Sequence, residues 1–395
     1  MKNIGWIVLL PSLVFASFTK TTTDEYIIKG ESFIQGEMVR KIGKEIYLVK
    51  SNSKLKVDNI NVFYNYSYKG EFKETGTVND TLFAEQTHHP QIKTSKAWAI
   101  SQGSKEIIVA VTDNEFELDH DDLKNAWWKN ENEIPGNNID DDGNGYIDDV
   151  IGWDFVTQDS DVNVEQGPTH GTHVSGIIAA AVNNKIGVAG IAPKVKVMPL
   201  RWYGDERAWN TALVVETYHY AVKMGAKIIN TSYNIDPLVE DPAYLDLIQF
   251  VKNSGVIIFN SAGNDNTKDP PRSVIKDIVL VCSVKGKKVR HIDRKSRFSN
   301  YGKDIDICAP GDPILSTVQG RYEGKSRYGE LAGTSMSSPV VASVAALIWS
   351  HNPNFSREEV IKKLLETTDN IDAQNKTKYH GLLGSGRVNA FRALK

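Results

Sequence analysis

Leu331-Ala332-Gly333-Thr334-Ser335-Met336-Ser337-Ser338-Pro339-Val340-Val341 is the stretch on which the reading of this chain turns. Small and hydroxyl-bearing residues give way at Val340 to an apolar run ending at Trp349, so it reads as a turn feeding a buried helix. Glycine lets the backbone bend and approach a ligand closely. Pro339 is placed near the helix start, where its missing N–H costs little. A serine held at such a turn has its hydroxyl in the open above the positive helix end, which suits a nucleophile. The plainer alternative is a serine-rich helix cap. A weakly acidic serine needs a base, and the base an orienting carboxylate.

Working outward, the chain alternates apolar strands with helices. Ile107-Ile108-Val109-Ala110-Val111 runs apolar and ends at Asp113. Gly176–Val182 is small and helical, and Val195–Leu200 is a strand. A helix over Thr211–Met224 precedes a strand at Ile228-Ile229, and a helix over Tyr244–Lys252 precedes strands at Val256–Phe259 and Val279–Val281. Helices over Val340–Ser350 and Arg357–Thr367 close the chain. Wholly apolar strands between helices imply an α/β fold of three layers, a mostly parallel sheet with helices on both faces. Sites in such sheets form at the carboxyl ends of the strands, where Asp113, Ser232 and Asn264 fall.

The amino end reads differently. Met1–Ser17 has the pattern of a secretory signal: Lys2, an apolar run over Ile4–Phe15, and small residues at Ala16-Ser17. The run is short for a bilayer span, so a secreted or periplasmic protein without a membrane span is expected, with a membrane anchor that is never cut as the alternative. Residues 18–80 alternate apolar and polar in short β-like runs, with turns at Gly30, Gly36, Gly43 and Gly70. They form a small β-rich segment, a pro-region or a structural extension, ahead of a catalytic domain over 81–395. A net charge of −3 across 395 residues gives no basic surface for nucleic acid. The two cysteines, Cys282 and Cys308, lie in apolar runs; an exported protein could join them, but the apolar runs favour buried free thiols.

Three further stretches carry chemistry. His170-Gly171-Thr172-His173-Val174-Ser175-Gly176 opens a helix of small residues. Its histidines lack the full-turn spacing and glutamate of a zinc helix, which leaves a capping pair or one exposed general base. Asp113 could accept an imidazole N–H, or be a turn residue. Asn264, in Ser261-Ala262-Gly263-Asn264, could donate to a developing oxyanion, or mark a turn.

The order Asp, His, Asn, Ser, each in an extended local signature, resembles the subtilases, the subtilisin-like serine proteases, from about Gln86 to the end. The resemblance implies that Asp113 orients, His170 is the base, and Ser335 attacks. It also implies that Asn264 with the Ser335 N–H forms the oxyanion hole and that His173 is structural. By the same resemblance Ser232, Tyr233, Asn234 and Gly263 form the substrate edge, and the substrates are proteins or peptides cut by a monomer. Three departures stand out. Asp113-Asn114-Glu115 replaces Asp-Thr-Gly or Asp-Ser-Gly, Ser232-Tyr233-Asn234-Ile235 replaces Ser-Leu-Gly-Gly, and Val340 stands where histidine is common.

Calcium is expected at two places. Asp140, Asp142, Asn144, Tyr146 and Asp148 follow the spacing of an EF-hand-type loop, with Ile151 where the closing glutamate would stand. The resemblance implies a second site from Asp122, the Asn184 side chain and the carbonyls of Val182, Ile186 and Val188, with Gln86 as a further ligand. A binding protein on the same fold with impaired catalysis is the alternative that the departures suggest. An α/β-hydrolase esterase requires the order Ser, acid, His, which is wrong here. A calcium-dependent adhesion module rests on the acidic loop alone.

Overall fold

The computed structural model describes residues 19–29, 37–43, 46–50 and 61–69 as backbone strands, and 78–163, 170–203, 210–286, 292–320 and 327–395 with their side chains. The stretch read as a signal, and the turns at Gly30, Gly36 and Gly70, lie outside the described residues. The chain divides into two units, Met1–Glu74 and Thr75–Lys395. In the first, strands β1 (Thr19–Lys29), β2 (Glu37–Gly43), β3 (Ile46–Lys50) and β4 (Asn61–Lys69) form an antiparallel sheet in the order β2-β3-β1-β4.

The second unit begins with two short helices, α1 (His88–Ile92) and α2 (Thr94–Trp98). Strands β5 (Ile108–Asp113) and β6 (Trp153–Asp154) follow, then helix α3 (His170–Ala179). Next come β7 (Lys196–Arg201), α4 (Thr211–Lys223), β8 (Ile228–Thr231), α5 (Pro242–Asn253), β9 (Ile257–Ser261) and β10 (Ile278–Lys285). The chain continues through β11 (Ile307–Asp312), β12 (Ile314–Thr317), β13 (Tyr328–Leu331), α6 (Thr334–His351), α7 (Arg357–Glu366) and α8 (Ala390–Leu394). Seven strands make one parallel sheet in the order β11-β10-β9-β8-β5-β7-β6.

Side chains alternate across this sheet as the strand period requires. Val109, Val111, Ile257, Phe259, Val279 and Val281 face a core shared with α3 and α6. Ala110, Ile258, Ile278 and Leu280 face a second core shared with α4 and α5. Both faces are dry, which is why the strands read as unbroken apolar runs. From β5 the chain runs out to β6 at the sheet edge, comes back to β7 and then crosses β5 to β8. The resulting switch point puts the carboxyl ends of β5 and β8 side by side, where open α/β sheets bind ligands.

Two expectations need correction. Cys282 and Cys308 are joined as a disulfide rather than free, with Cα atoms 4.4 Å apart. They lie directly opposite one another in the β10–β11 register. An apolar run cannot distinguish a buried thiol from half of a disulfide; strand register does. The helix after the key stretch starts at Thr334, not near Val340, so Pro339 sits in its second turn. A proline there has no N–H to donate to the carbonyl four residues back, that of Ser335. The Ser232 hydroxyl donates to that carbonyl instead, at 2.8 Å.

Candidate active site

Asp113 closes β5 and is completely buried. Its carboxylate accepts the Asn114 backbone N–H at 2.8 Å, and the Tyr203 phenol donates at 3.4 Å. Nδ1 of His170, the first residue of α3, lies 2.9 Å from both carboxylate oxygens. The ring therefore carries its proton on Nδ1 and leaves Nε2 as the acceptor. The His170 side chain keeps 24% of its surface exposed, so the bare nitrogen is reachable. Burial opposes the charged ring, but the Asp113 charge and hydrogen bond outweigh it, and the His170 pKa is raised above 6.5. Gly171 makes the pairing possible. A Cβ there would stand 2.3 Å from the Glu115 carbonyl oxygen and 3.0 Å from the Asp113 Cβ.

His173 is separate from this pair. Its Nε2 lies 3.0 Å from the Ile314 carbonyl oxygen, and burial with the nearby His170 charge lowers its pKa to about 3. It is a neutral donor inside the core.

Ser335 is the second residue of α6 and is half-buried. Its hydroxyl donates to the Ser232 carbonyl at 2.8 Å. With the reverse bond from Ser232 to the Ser335 carbonyl, the two serines are locked together. Asn230 steadies the pair: its amide donates to the Ser232 hydroxyl at 3.0 Å and its oxygen accepts from Ser338 at 2.8 Å. Thr112 on β5 lies opposite Thr231 on β8, so Asp113 and Ser232 are neighbours at adjacent strand ends, about 5 Å apart by strand spacing. Among the described residues no hydrogen bond joins the Ser335 hydroxyl to the His170 ring. Such bonds tighten when substrate is bound.

Asn264 projects from the loop after β9 and is exposed. Its oxygen accepts both the Thr334 N–H and the Thr334 hydroxyl, each at 2.9 Å. Those two donors fix the amide flip and leave the NH₂ group facing outward. The Ser335 N–H has no acceptor among the described residues, as expected in the first turn of a helix. Asn300, which the sequence reading missed, holds the Asn264 loop. It accepts the N–H groups of Asp265 and Thr267 at 3.0 and 2.8 Å and donates to the Ala262 carbonyl at 2.9 Å. Gly263 has φ +101°, and a Cβ there would lie 2.4 Å from the Asn300 amide nitrogen.

The departures in sequence have local explanations. Glu115 and Asn234 both lie outside the left-handed backbone region, so neither position requires glycine. The Asn114 N–H and the Tyr203 phenol bond Asp113 where a neighbouring hydroxyl would. Tyr233 stacks against Trp202 with centroids 4.6 Å apart, and its phenol is 3.0 Å from that of Tyr218. Asn234 is exposed at the rim and accepts the Asp236 N–H at 2.9 Å.

The two candidate cation loops are assembled differently from their spacing. Asp140 and Asp142 are grouped with Glu133, their ligand oxygens within 4.8 Å of one another. Glu133, seven positions before Asp140, lies outside the EF-hand-type spacing and accepts the N–H groups of Asp141, Asp142 and Asp148. Asp148 is engaged elsewhere, accepting the N–H groups of Gly136, Asn137 and Asn138 at 2.8, 3.2 and 2.9 Å. The Asn144 amide donates to Asp149 at 2.8 Å, and the Tyr146 phenol donates to Glu216 at 3.2 Å. In the other loop the Asn184 amide donates to Asp122 at 2.5 Å, and the Val188 N–H donates to Asp122 at 3.0 Å. Ile186 donates to the Asn184 oxygen at 3.0 Å. Asn183 and Asn184, just after Val182, donate from their backbones to Asp80, another carboxylate not foreseen. Burial raises the Asp122 pKa despite these donors. Gln86 is occupied with the Ala189 backbone, accepting at 2.7 Å and donating at 3.0 Å.

Comparison with known proteins fits this geometry. The model of the subtilase family matches residues 104–386, and the chain belongs to that family of serine proteases. It is 32% identical to thermitase of Thermoactinomyces vulgaris, over 81% of this chain and 99% of that one. It is 31% identical to the thermophilic serine proteinase of Bacillus sp. strain AK1, over 82% of this chain and 70% of that one. Among solved structures, a protease from Pseudoalteromonas arctica PAMC 21717 superposes with a TM-score of 0.63 at 26% identity. That match covers 81% of this chain and 99% of the other. Among the described residues no helix is long and apolar enough to cross a membrane.

Proposed function

We propose that this chain is a secreted endopeptidase whose Ser335 attacks the scissile carbonyl, forming an acyl-enzyme that water then hydrolyses. His170 Nε2 takes the hydroxyl proton and returns it to the leaving amine, while Asp113 holds the ring and stabilises its cation. The Asn264 amide and the Ser335 N–H receive the negative charge that develops on the carbonyl oxygen. The observation that carries this reading is the Asp113–His170 pair on one strand end, with Ser335 bonded to the next strand end at Ser232.

Calcium is assigned to both loops as a structural ion: three carboxylates converge at the first, and the second rests on the family resemblance. Glu133, Asp140 and Asp142 would hold one ion, and Asp122, Asn184 and the 182–188 backbone another. Secretion rests on the signal-like pattern of Met1–Ser17, and residues 18–80 are assigned as a pro-region ahead of the catalytic domain. The direct test is peptide hydrolysis by the purified protein, with Ser335→Ala as the blank. Hydrolysis at internal peptide bonds that vanishes in the variant supports the reading. A folded wild-type protein that cuts no peptide would make it a binding protein on this fold.

A further inference from the structure

Arg272 lies in a short turn, Pro271–Val274, beside the substrate edge and is only 1% exposed. All five of its side-chain N–H groups are used. Nε donates to Asp236 Oδ1 at 2.8 Å, and Nη2 donates to Asp236 Oδ2 at 2.9 Å and to the Asn234 side-chain oxygen. Nη1 donates to the Ser261 carbonyl at 2.8 Å and to the Tyr233 carbonyl at 3.4 Å. Ser261 ends β9 and Tyr233 follows β8, so one guanidinium ties the two strand ends that flank the candidate cleft. A Cβ placed on Gly263 would be 3.4 Å from Nη2, the same nitrogen that holds Asn234. The gap between Asn234 and Gly263 is therefore filled by a planar group at van der Waals distance.

That filling bears on substrate choice. A peptide carbonyl carbon about 3–3.5 Å from the Ser335 hydroxyl, with its oxygen toward Asn264, carries the preceding side chain toward Gly263 and the Ser232–Asn234 edge. Arg272 has no N–H left for a substrate carboxylate, and Asp236 already balances its charge. It acts as a plug, not as an anion receptor. We propose that Arg272, braced by Asp236 and Asn234, makes this subsite shallow and restricts the residue on the acyl side of the cut bond to glycine, alanine or serine. This rests on the protease reading of the site.

The test is kcat/KM of the full-length protein on peptides differing only at that residue, with active sites counted by a fluorophosphonate probe. Alanine and serine should exceed leucine and phenylalanine by at least tenfold, since single-methylene differences in a fitted pocket are worth about 10–200-fold. Arg272→Ala combined with Asp236→Asn opens the slot without stranding a carboxylate, and should raise leucine relative to alanine at least tenfold. If that pair does not fold, Asn234→Gly at the exposed rim should shift the ratio the same way by about threefold. A labelled enzyme that prefers phenylalanine or leucine, or variants with unchanged ratios, would overturn the plug alone. A wild-type protein that takes no label would overturn the protease reading and the plug with it.

Discussion

Replacing Asn264 by alanine probes the oxyanion site with the least disturbance elsewhere. The side chain is exposed, and its two structural bonds, from the Thr334 N–H and hydroxyl, end on its oxygen. Its amide NH₂ is free to act only when a carbonyl oxygen gains charge, so the loss should appear in kcat and leave KM nearly unchanged. Donors of this kind in subtilisin-like enzymes are worth about 100- to 1,000-fold in kcat, or about 2.7–4 kcal/mol. The variant also leaves two Thr334 donors without their acceptor in a buried place, which should cost about 1–3 kcal/mol of stability. Thr334→Val separates the two effects. It keeps Asn264 and the backbone donor, removes one of the two bonds that fix the amide, and takes from the Gly263 N–H its acceptor at 3.1 Å. Its kcat should fall only about 2- to 10-fold, the worth of one ordinary hydrogen bond. Steady-state kinetics on one peptide amide, with melting curves of each variant, make the comparison. An Asn264→Ala enzyme that keeps kcat within threefold of wild type would refute the assignment.

Four other perturbations follow from the same geometry. Activity should fall as pH drops through the His170 pKa, which lies above 6.5, because the base must be neutral. Asp113→Asn removes both influences that raise that pKa and leaves burial. The acid limb should therefore move to lower pH, and kcat should drop on the order of 10,000-fold, as a pH–rate profile would show. The Asp113–His170 pair also stabilises the fold, fully below about pH 6.5 and progressively less as pH rises through the raised value. Gly171→Ala places a methyl group against the Glu115 carbonyl; it should cost about 1–3 kcal/mol and disturb the same pair, visible as a lower denaturant midpoint and lower kcat. Chelation by EDTA should lower the melting temperature. An ion present at about 100 times its Kd contributes about 2.7 kcal/mol, and an unchanged melting curve would remove both calcium loops from the account.

Much of this was legible in sequence because each element announces itself locally. The short, β-branched run Ile107–Val111 has the length and composition of a strand buried on both faces, and Asp113 then falls at its end. His170 and Ser335 open helices whose small residues show close packing. What stayed hidden depends on contacts between distant segments. Cys282 and Cys308 become partners only through the β10–β11 register. Glu133 reaches Asp140 and Asp142 by the path of a loop, and Asn300 supports Asn264 from 36 positions onward. Arg272 reads as an ordinary surface arginine until Asp236, Asn234 and two carbonyls close around it. Pro339 suggests a helix start close to itself, because its missing N–H costs nothing in the first turn, whereas the helix begins at Thr334. The Ser232 hydroxyl supplies the bond that Pro339 cannot make, and the helix continues through it.

The measurement that bears most directly on the central claim is fluorophosphonate labelling of the intact protein, followed by peptide mass spectrometry. The arrangement of Asp113, His170 and Ser335 predicts a single adduct on Ser335, absent in Ser335→Ala and slowed by orders of magnitude in His170→Ala. An adduct on another residue, or labelling of Ser335 that proceeds equally fast without His170, would contradict it.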